Sequence, residues 1–347
     1  MTWIPLLLAD PSPCLRLQVL RVLLERDSDD EEVHELLAMR DDDPLASGLL
    51  SRQEADGSWS TSALEGKIPG GKLQATSQVL TRLGYLGFDA AHPAVARGAA
   101  YLFSLQRPDG SWAKVEIPQE TSKGHDRSYY DMMPLQTAIP LRGLSACGFA
   151  ADPRAEKAYE WLLAQRMDDG AWPTGVVDGS YGYVAGYRRI AHSRWGCRSN
   201  TTGALICLAM HPGRCTGAAA RRALDLLLGR ETREMQNIGF EVARTIGAEP
   251  VSGWITFFAR FDLALMLDLC WRVGASTGDE RVADLVTYLH DIQGDYGLWE
   301  YTNRPQASRW VTFDILRSLS RLDTETDWVA VELRTPFQPY MRGRRRF

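Results

Sequence analysis

QEADGSW (Gln53–Trp59), QRPDGSW (Gln106–Trp112), QRMDDGAW (Gln165–Trp172) and QGDYGLW (Gln293–Trp299) are one phrase written four times. A phrase that recurs at a fixed place in a longer unit means a fold built by repetition. The glutamines stand 53, 59 and 128 residues apart, and 128 is close to twice 64, so one unit between Gln165 and Gln293 has lost its phrase. That unit survives in AARRALDLLLGRETRE (Ala219–Glu234), which keeps the apolar spacing of the helices before the other phrases but has Gly229-Arg230 where Gln would stand.

Each unit reads as two helices. PAVARGAAYLFSLQ (Pro93–Gln106) has apolar residues at three and four spacing and stops at a DG turn, where glycine takes the left-handed conformation that ends a helix. This is an outer helix with one wet face. After a loop of variable length comes an evenly apolar helix such as MPLQTAIPLRGLSACG (Met133–Gly148), which suits burial on all sides. By this rule outer helices are predicted over 44–53, 93–106, 152–165, 217–229 and 278–292, and inner ones over 72–86, 132–148, 199–211, 254–273 and 308–321. A further pair over 11–26 and 29–40 makes about six inner and six outer helices, an all-α chain closing into an α/α toroid with the inner helices' ends around a central cavity. The repeat array spans 44–325, residues 1–43 form the pair that closes it, and 326–347 is an extension with a basic tail, within one domain.

At 347 residues and a net charge of −5, the chain gives no reason to expect nucleic acid or an anionic membrane as partner. Only Arg342–Phe347 (RGRRRF) is strongly basic, and it reads as a solvated tail. The run Ile4–Ala9 is too short to span a bilayer and has no positive residue before it, so neither a membrane segment nor a signal peptide is expected. Six cysteines without a CxxC pair or framework spacing fit a reducing cytoplasm. Nothing in the sequence sets the oligomeric state.

In the form QxxxGxW the phrase resembles the QW motif of the squalene and oxidosqualene cyclases, class II diterpene cyclases and protein prenyltransferase β subunits. Gln53, Gly57 and Trp59 match it, as do Gln106, Gly110, Trp112 and Gln293, Gly297, Trp299, while Gln165, Gly170 and Trp172 match with one extra residue. The resemblance covers about residues 44–321. It implies an α/α toroid in which the phrases are structural, each Gln bonding backbone groups while the Trp stacks. Chemistry is then expected in the loops and inner-helix N-termini that rim the cavity, and fold alone does not name it.

Four stretches are candidates. GHDRSYYDMM (Gly124–Met133) offers Tyr129 and Tyr130 as substrate-binding walls and Asp131 as an acid, or else a helix cap with tyrosines beside it. YGYVAGYRRIAHSRWGCRSN (Tyr181–Asn200) brings Arg188, Arg189, Arg194 and Arg198 towards a helix start, the setting a diphosphate or carboxylate needs; Arg194 and Arg198 are the nominated binders. The alternative is a lid whose arginines pair with surface acids or aromatic faces. In VSGWITFFARFDLALMLDLCW (Val251–Trp271), Trp254, Phe257, Phe258 and Phe261 fall at helical spacing and would line a cavity for a prenyl chain, and Asp262 is an acid in an apolar run that burial would keep protonated. Ordinary core packing and a salt bridge are the plainer readings.

Asp268-Leu269-Cys270 resembles the zinc-binding Asp and Cys of the prenyltransferase β subunits, but residues two apart in a helix point about 200° apart, and Asp268 and Arg272 are spaced as an ion pair. SRWVTFDILRSL (Ser308–Leu319) has no His for a third ligand; its Trp310 is read as lining the cavity. The fourth stretch, Asp27-Ser28-Asp29-Asp30, spells the DxDD of protonation-initiated cyclases, yet stands in a charged turn and reads as a helix cap. No magnesium motif occurs in a suitable helix, so no metal and no cofactor is expected. The sequence therefore supports an enzyme acting on a hydrophobic isoprenoid, cyclising a polyene by protonation from Asp262 or Asp131 or handling a prenyl diphosphate held by Arg194 and Arg198. The alternative is a non-catalytic toroid that binds a hydrophobic ligand or a partner protein.

Overall fold

A computed structural model describes residues 3–113, 132–177, 179–229, 237–254 and 261–323, together with Pro339. The helices in chain order are α1 (Trp3–Leu8), α2 (Pro13–Gln18, continued by a π-helical turn over Val19–Leu23), α3 (Glu31–Ala38), α4 (Ser47–Leu50), α5 (Gly71–Tyr85), α6 (Pro93–Ser104) and α7 (Met133–Ala146). They are followed by α8 (Pro153–Ala164), α9 (Arg198–Met210), α10 (Ala218–Leu228), α11 (Phe240–Ile246), α12 (Leu263–Val273), α13 (Glu280–Asp291) and α14 (Ser308–Arg321). Two-residue strands β1 (Gly66–Lys67), β2 (Val176–Val177), β3 (Ser180–Tyr181) and β4 (Val251–Ser252) form two small ladders, β1 parallel to β4 and β2 antiparallel to β3.

Inner helices pack in sequence, α5 on α7, α7 on α9, α9 on α12 and α12 on α14. The turn after α2 packs on α14, and Gln18 Nε2 donates to the Tyr85 carbonyl at 2.7 Å, which joins the two ends of the row into a ring. Outside it α6 lies on α5, α8 on α7, α10 on α9 and α13 on α12. The result is an α/α toroid. Small residues let the inner helices approach closely: a Cβ on Gly143 would stand 2.5 Å from the Ser77 carbonyl oxygen of the neighbouring helix.

The repeated phrase is the clasp of each unit. The indole N–H of Trp59, Trp112, Trp172 and Trp299 donates to Leu49, Leu102, Leu162 and Leu289, at the end of the preceding outer helix, over 2.7–2.8 Å. The backbone N–H of the same four tryptophans donates to Thr76, Thr137, Thr201 and Thr312, each within the first two turns of the following inner helix. Gln53 and Gln106 tie the phrase's own glycine carbonyl to the start of the next outer helix, at Ala94 and Arg154. Gly57 has a φ of +86°, and a Cβ there would lie 2.6 Å from the Arg97 carbonyl oxygen, so the turn needs glycine both for conformation and for space. In the copy with an extra residue, Arg222 of α10 donates to the Asp169 carbonyl and makes the tie to the next outer helix.

Three expectations change. The helix expected over 254–273 is not continuous: α12 begins at Leu263 with Asp262 as its extended cap, and 255–260 lie outside the described residues. The outer helix expected over 44–53 is the single turn α4. A short helix that no phrase announces, α11, lies between α10 and α12 in the chain.

Candidate functional site

α11 occupies the middle of the ring. It packs on α5, α12 and α14, its Glu241 pairs with Arg142 of α7, and its Thr245 carbonyl accepts from Arg82 of α5 at 2.7 Å. Contacts to helices on opposite sides of the ring place it in the lumen, where all residues from Glu241 to Ile246 are buried. Asp262 holds its start: one carboxylate oxygen accepts the Gly239 N–H at 2.8 Å and the Ala264 N–H at 3.0 Å, and the other accepts the Glu241 N–H at 2.6 Å. Burial pushes this carboxyl up to about 7, against the pull of those N–H bonds.

Glu241 also pairs with Arg244, and burial acts to raise its pKa, but Arg244 and Arg142 hold it down at about 2. Arg82, buried with a peptide carbonyl as partner and Arg244 beside it, is lowered to about 10, mainly by burial. The lumen is thus filled with ion pairs at mid-height.

Among the described residues, spaces lie on either side of α11. Towards the N-terminal ends of the inner helices is a narrow cleft of about 10 Å³ lined by Gln78, Leu135, Ala138, Ile139, Ile206 and Trp254, with Arg142 and Arg244 also in its wall. Towards their C-terminal ends is a cavity of about 280 Å³, to which α2, α5, α7, α9, α11, α12 and α14 all contribute. Its wall is polar. Asp268 is held by Arg272 at 2.8 Å, by Arg317 at 3.0 Å and by the Trp271 indole at 3.1 Å; Asp314 is held by the same Arg317 at 2.5 Å and by the Tyr85 hydroxyl at 3.3 Å. Asp268 has two guanidinium partners, and Asp314 shares one of them. Burial works against ionisation in each, but Arg272 and Arg317 hold Asp268 low, while Asp314 rises to about 6.

The sequence candidates are not gathered at one place. Trp254 lines the N-terminal cleft. Arg198, buried in the first turn of α9, stacks 5.2 Å from the Phe261 ring, which pairs a nominated anion binder with a nominated wall residue. Arg194 is exposed on the loop before α9, 5.1 Å from the Trp195 ring. Trp310 is buried against Tyr85, with ring centroids 5.6 Å apart, and is absent from the walls of both spaces. Trp254 and Phe261 both precede α12, so neither is on its face. Tyr129, Tyr130, Asp131, Phe257 and Phe258 lie outside the described residues.

Asp30 caps α3 by accepting the Glu32 and Val33 N–H groups, as expected of the DSDD turn. The Asp268–Arg272 pair also forms as its spacing predicts. Among the described residues no group of three or more His, Cys, Asp and Glu is arranged for a metal ion, and no helix is long and apolar enough to cross a membrane. The C-terminal cavity was missed at the sequence level. Its signal was present in Arg142, Asp314 and Arg317, charged residues inside helices otherwise apolar enough to be read as inner ones.

Residues 38–192 match the squalene-hopene cyclase C-terminal domain. Over that stretch the chain is similar to the squalene cyclases. It is 29% identical over 150 residues to a squalene–hopene cyclase of Zymomonas mobilis, a match covering 42% of this chain and 21% of that protein. A probable squalene–hopene cyclase of Sinorhizobium fredii is 29% identical over 127 residues, 36% of this chain and 18% of its own. The match thus spans about a fifth of the length of these curated relatives. Among solved structures, the type II terpene cyclase MstE from Scytonema aligns over 79% of this chain and 94% of its own at 14% identity, with a TM-score of 0.32.

Proposed function

We propose that the protein is a terpenoid cyclase-like enzyme that takes a hydrophobic isoprenoid, a polyene or a prenyl diphosphate, at the N-terminal mouth of its ring. The observation that carries this reading is the cleft at Trp254, walled by Leu135, Ala138, Ile139 and Ile206 from neighbouring inner helices, with Arg142 and Arg244 beside them. Apolar walls hold a hydrocarbon chain by removing it from water, and an indole face favours positive charge developing on it. Arg198, at the start of α9, adds a guanidinium and the positive end of the helix for an anionic head, in a position Arg194 on its exposed loop does not match. The similarity to proteins described as squalene–hopene cyclases supports a polyene.

The acid of this reading is Asp131, which directly precedes Met132 at the start of α7. Asp262 has the raised pKa of a proton donor, but both its oxygens are engaged in tying α11 to α12, and it faces neither described space. The test is mass spectrometry of organic extracts after incubation with squalene, farnesyl diphosphate and geranylgeranyl diphosphate, with and without Mg²⁺. A new product that Asp131→Asn abolishes without lowering the melting temperature supports the enzyme reading. A second reading, a non-catalytic toroid for a hydrophobic ligand, is favoured by α11 filling the lumen. It predicts substrate recovered intact and bound to the protein. Neither product nor bound substrate contradicts both.

A further inference from the structure

We infer that α11 is a displaceable plug: seated, it closes the lumen against a ligand, and an isoprenoid takes its place beside Trp254 when α11 withdraws towards the N-terminal mouth. Volume calls for such a movement. The cleft beside Trp254 has about 10 Å³, the space of one water molecule, whereas pockets for ligands of this kind run to roughly 300–1,000 Å³. Arg244, a residue of α11, stands in the wall of that cleft, so α11 is what bounds it. The cavity of about 280 Å³ on the other side has Arg142, Glu241, Asp268, Arg272, Asp314 and Arg317 in its wall, and covering these with a hydrocarbon would be costly.

The chain enters and leaves the lumen on one side. Before α11, Asn237 is bridged to the start of α12, its carbonyl accepting the Leu263 N–H at 2.8 Å. After α11, the Val251 N–H donates to the Glu65 carbonyl at 2.7 Å and the Gly253 N–H to the Lys67 carbonyl at 3.0 Å, along the β1–β4 ladder that leads into α5. The Tyr301 hydroxyl, from the segment before α14, donates to Glu249 at 3.0 Å. All three anchors lie at N-terminal ends of inner helices, so residues 238–250 dip into the ring from its mouth. Withdrawal to that side threads no end of the chain through the ring. Both ends of α11 turn at left-handed glycines, Gly239 at φ +78° and Gly247 at φ +85°, and element ends of this kind can absorb a hinge motion.

What seats α11 is largely polar. Glu241 pairs with Arg142 and Arg244, Arg244 also reaches Gln78 at 3.2 Å, and the Thr245 carbonyl accepts from Arg82. Its fully buried apolar side chains are Val242, Ala243 and Ile246. Withdrawal returns the charges to water, which offsets much of the lost attraction, and exposes little apolar surface. When the binding-competent form is a small fraction of the protein, apparent affinity falls by that fraction, so a change that unseats α11 tightens binding. Gly247→Ala is such a change: a Cβ at that φ is strained and would stand 2.5 Å from the Arg82 guanidinium, which serves the Thr245 carbonyl.

The experiment is hydrogen exchange of the full chain, read by mass spectrometry on peptides covering 240–246, without ligand and with geranylgeranyl diphosphate, together with the affinity for that probe. Without ligand, α11 is expected to exchange by local opening, faster than α7 and α12 and unaltered by low urea. Exchange of α11 only together with the rest of the ring overturns the plug. With the probe bound, exchange of α11 should rise, and Gly247→Ala should bind the probe several-fold more tightly. Exchange that stays level or falls on binding overturns the plug, as does affinity that Gly247→Ala leaves unaltered or lowers, because a fixed structural helix behaves so. If Gly247→Ala does not fold, exchange of the natural protein decides. The displacing molecule rests on the isoprenoid reading, and the displacement does not. A probe that binds neither the natural protein nor Gly247→Ala, while α11 opens locally, contradicts the isoprenoid and keeps the plug.

Discussion

At each clasp, the threonine that receives a tryptophan N–H is worth more than a surface hydroxyl. Thr137 is fully buried, and replacing it by Val keeps its shape but leaves the Trp112 N–H without a partner 3.2 Å away. Thr137→Val is expected to cost about 1–3 kcal/mol in chemical denaturation, the penalty of an unpaired buried donor. A cost near zero would mean that the clasp is held by indole packing alone. Asp262 behaves similarly with a larger reach, since one carboxylate serves three N–H groups on two elements. Asp262→Asn leaves one oxygen to do the work of two and should lower stability by about 1–3 kcal/mol at pH 7. A stability-neutral variant would remove Asp262 from the structural role assigned to it.

The same residues make stability depend on pH. Asp262 and Asp314 hold protons in the folded chain, at about 7 and about 6, that the unfolded chain releases near 4. Between about pH 4 and pH 7 the folded state binds more protons, so these two groups lower stability as pH rises through that window. Glu241, held at about 2, acts oppositely and only in acid: its contribution is present above its ordinary value and is lost as pH falls towards 2. The melting temperature should therefore fall between pH 5 and pH 7.5, with a shallower slope in Asp262→Asn. A melting temperature that rises over that range would contradict these protonation states.

Among elements, α11 carries the most information and left the weakest trace in the sequence. Its surroundings, NIGFEVARTIGAEP, place Glu241 and Arg244 at the spacing of an ordinary solvated pair, and no QW phrase precedes it. Only tertiary packing shows that both are buried. Glu241→Gln would leave Arg142 and Arg244 uncompensated in the lumen and is expected to destabilise by about 3–5 kcal/mol, read by thermal and urea unfolding. A cost under about 1 kcal/mol would mean that water enters the lumen and screens the pair. By contrast, α6, α8, α10, α13 and α14 fall within a residue or two of their predicted ends, because their apolar spacing and stop signals agree. The predicted helix from 254 breaks before Leu263, because apolar residues at helical spacing do not reveal that Asp262 is a cap.

For the whole molecule, the four phrases made the toroid legible, since each fixes one outer helix to the following inner helix by the same two bonds from Trp. The site was less legible. Closing the ring brings Arg142, Asp268, Asp314 and Arg317 together from three helices, and no local pattern encodes that meeting. The central functional claim is that a hydrophobic isoprenoid binds on the N-terminal side of α11, in the cleft beside Trp254. It is tested most directly by titrating the protein with geranylgeranyl diphosphate and squalene and comparing Trp254→Ala with Arg272→Gln. The account predicts affinity reduced about tenfold or more by Trp254→Ala, roughly the worth of a buried aromatic contact, and unchanged by Arg272→Gln. Affinity lost in Arg272→Gln and retained in Trp254→Ala would put the isoprenoid on the other side of the ring and contradict it.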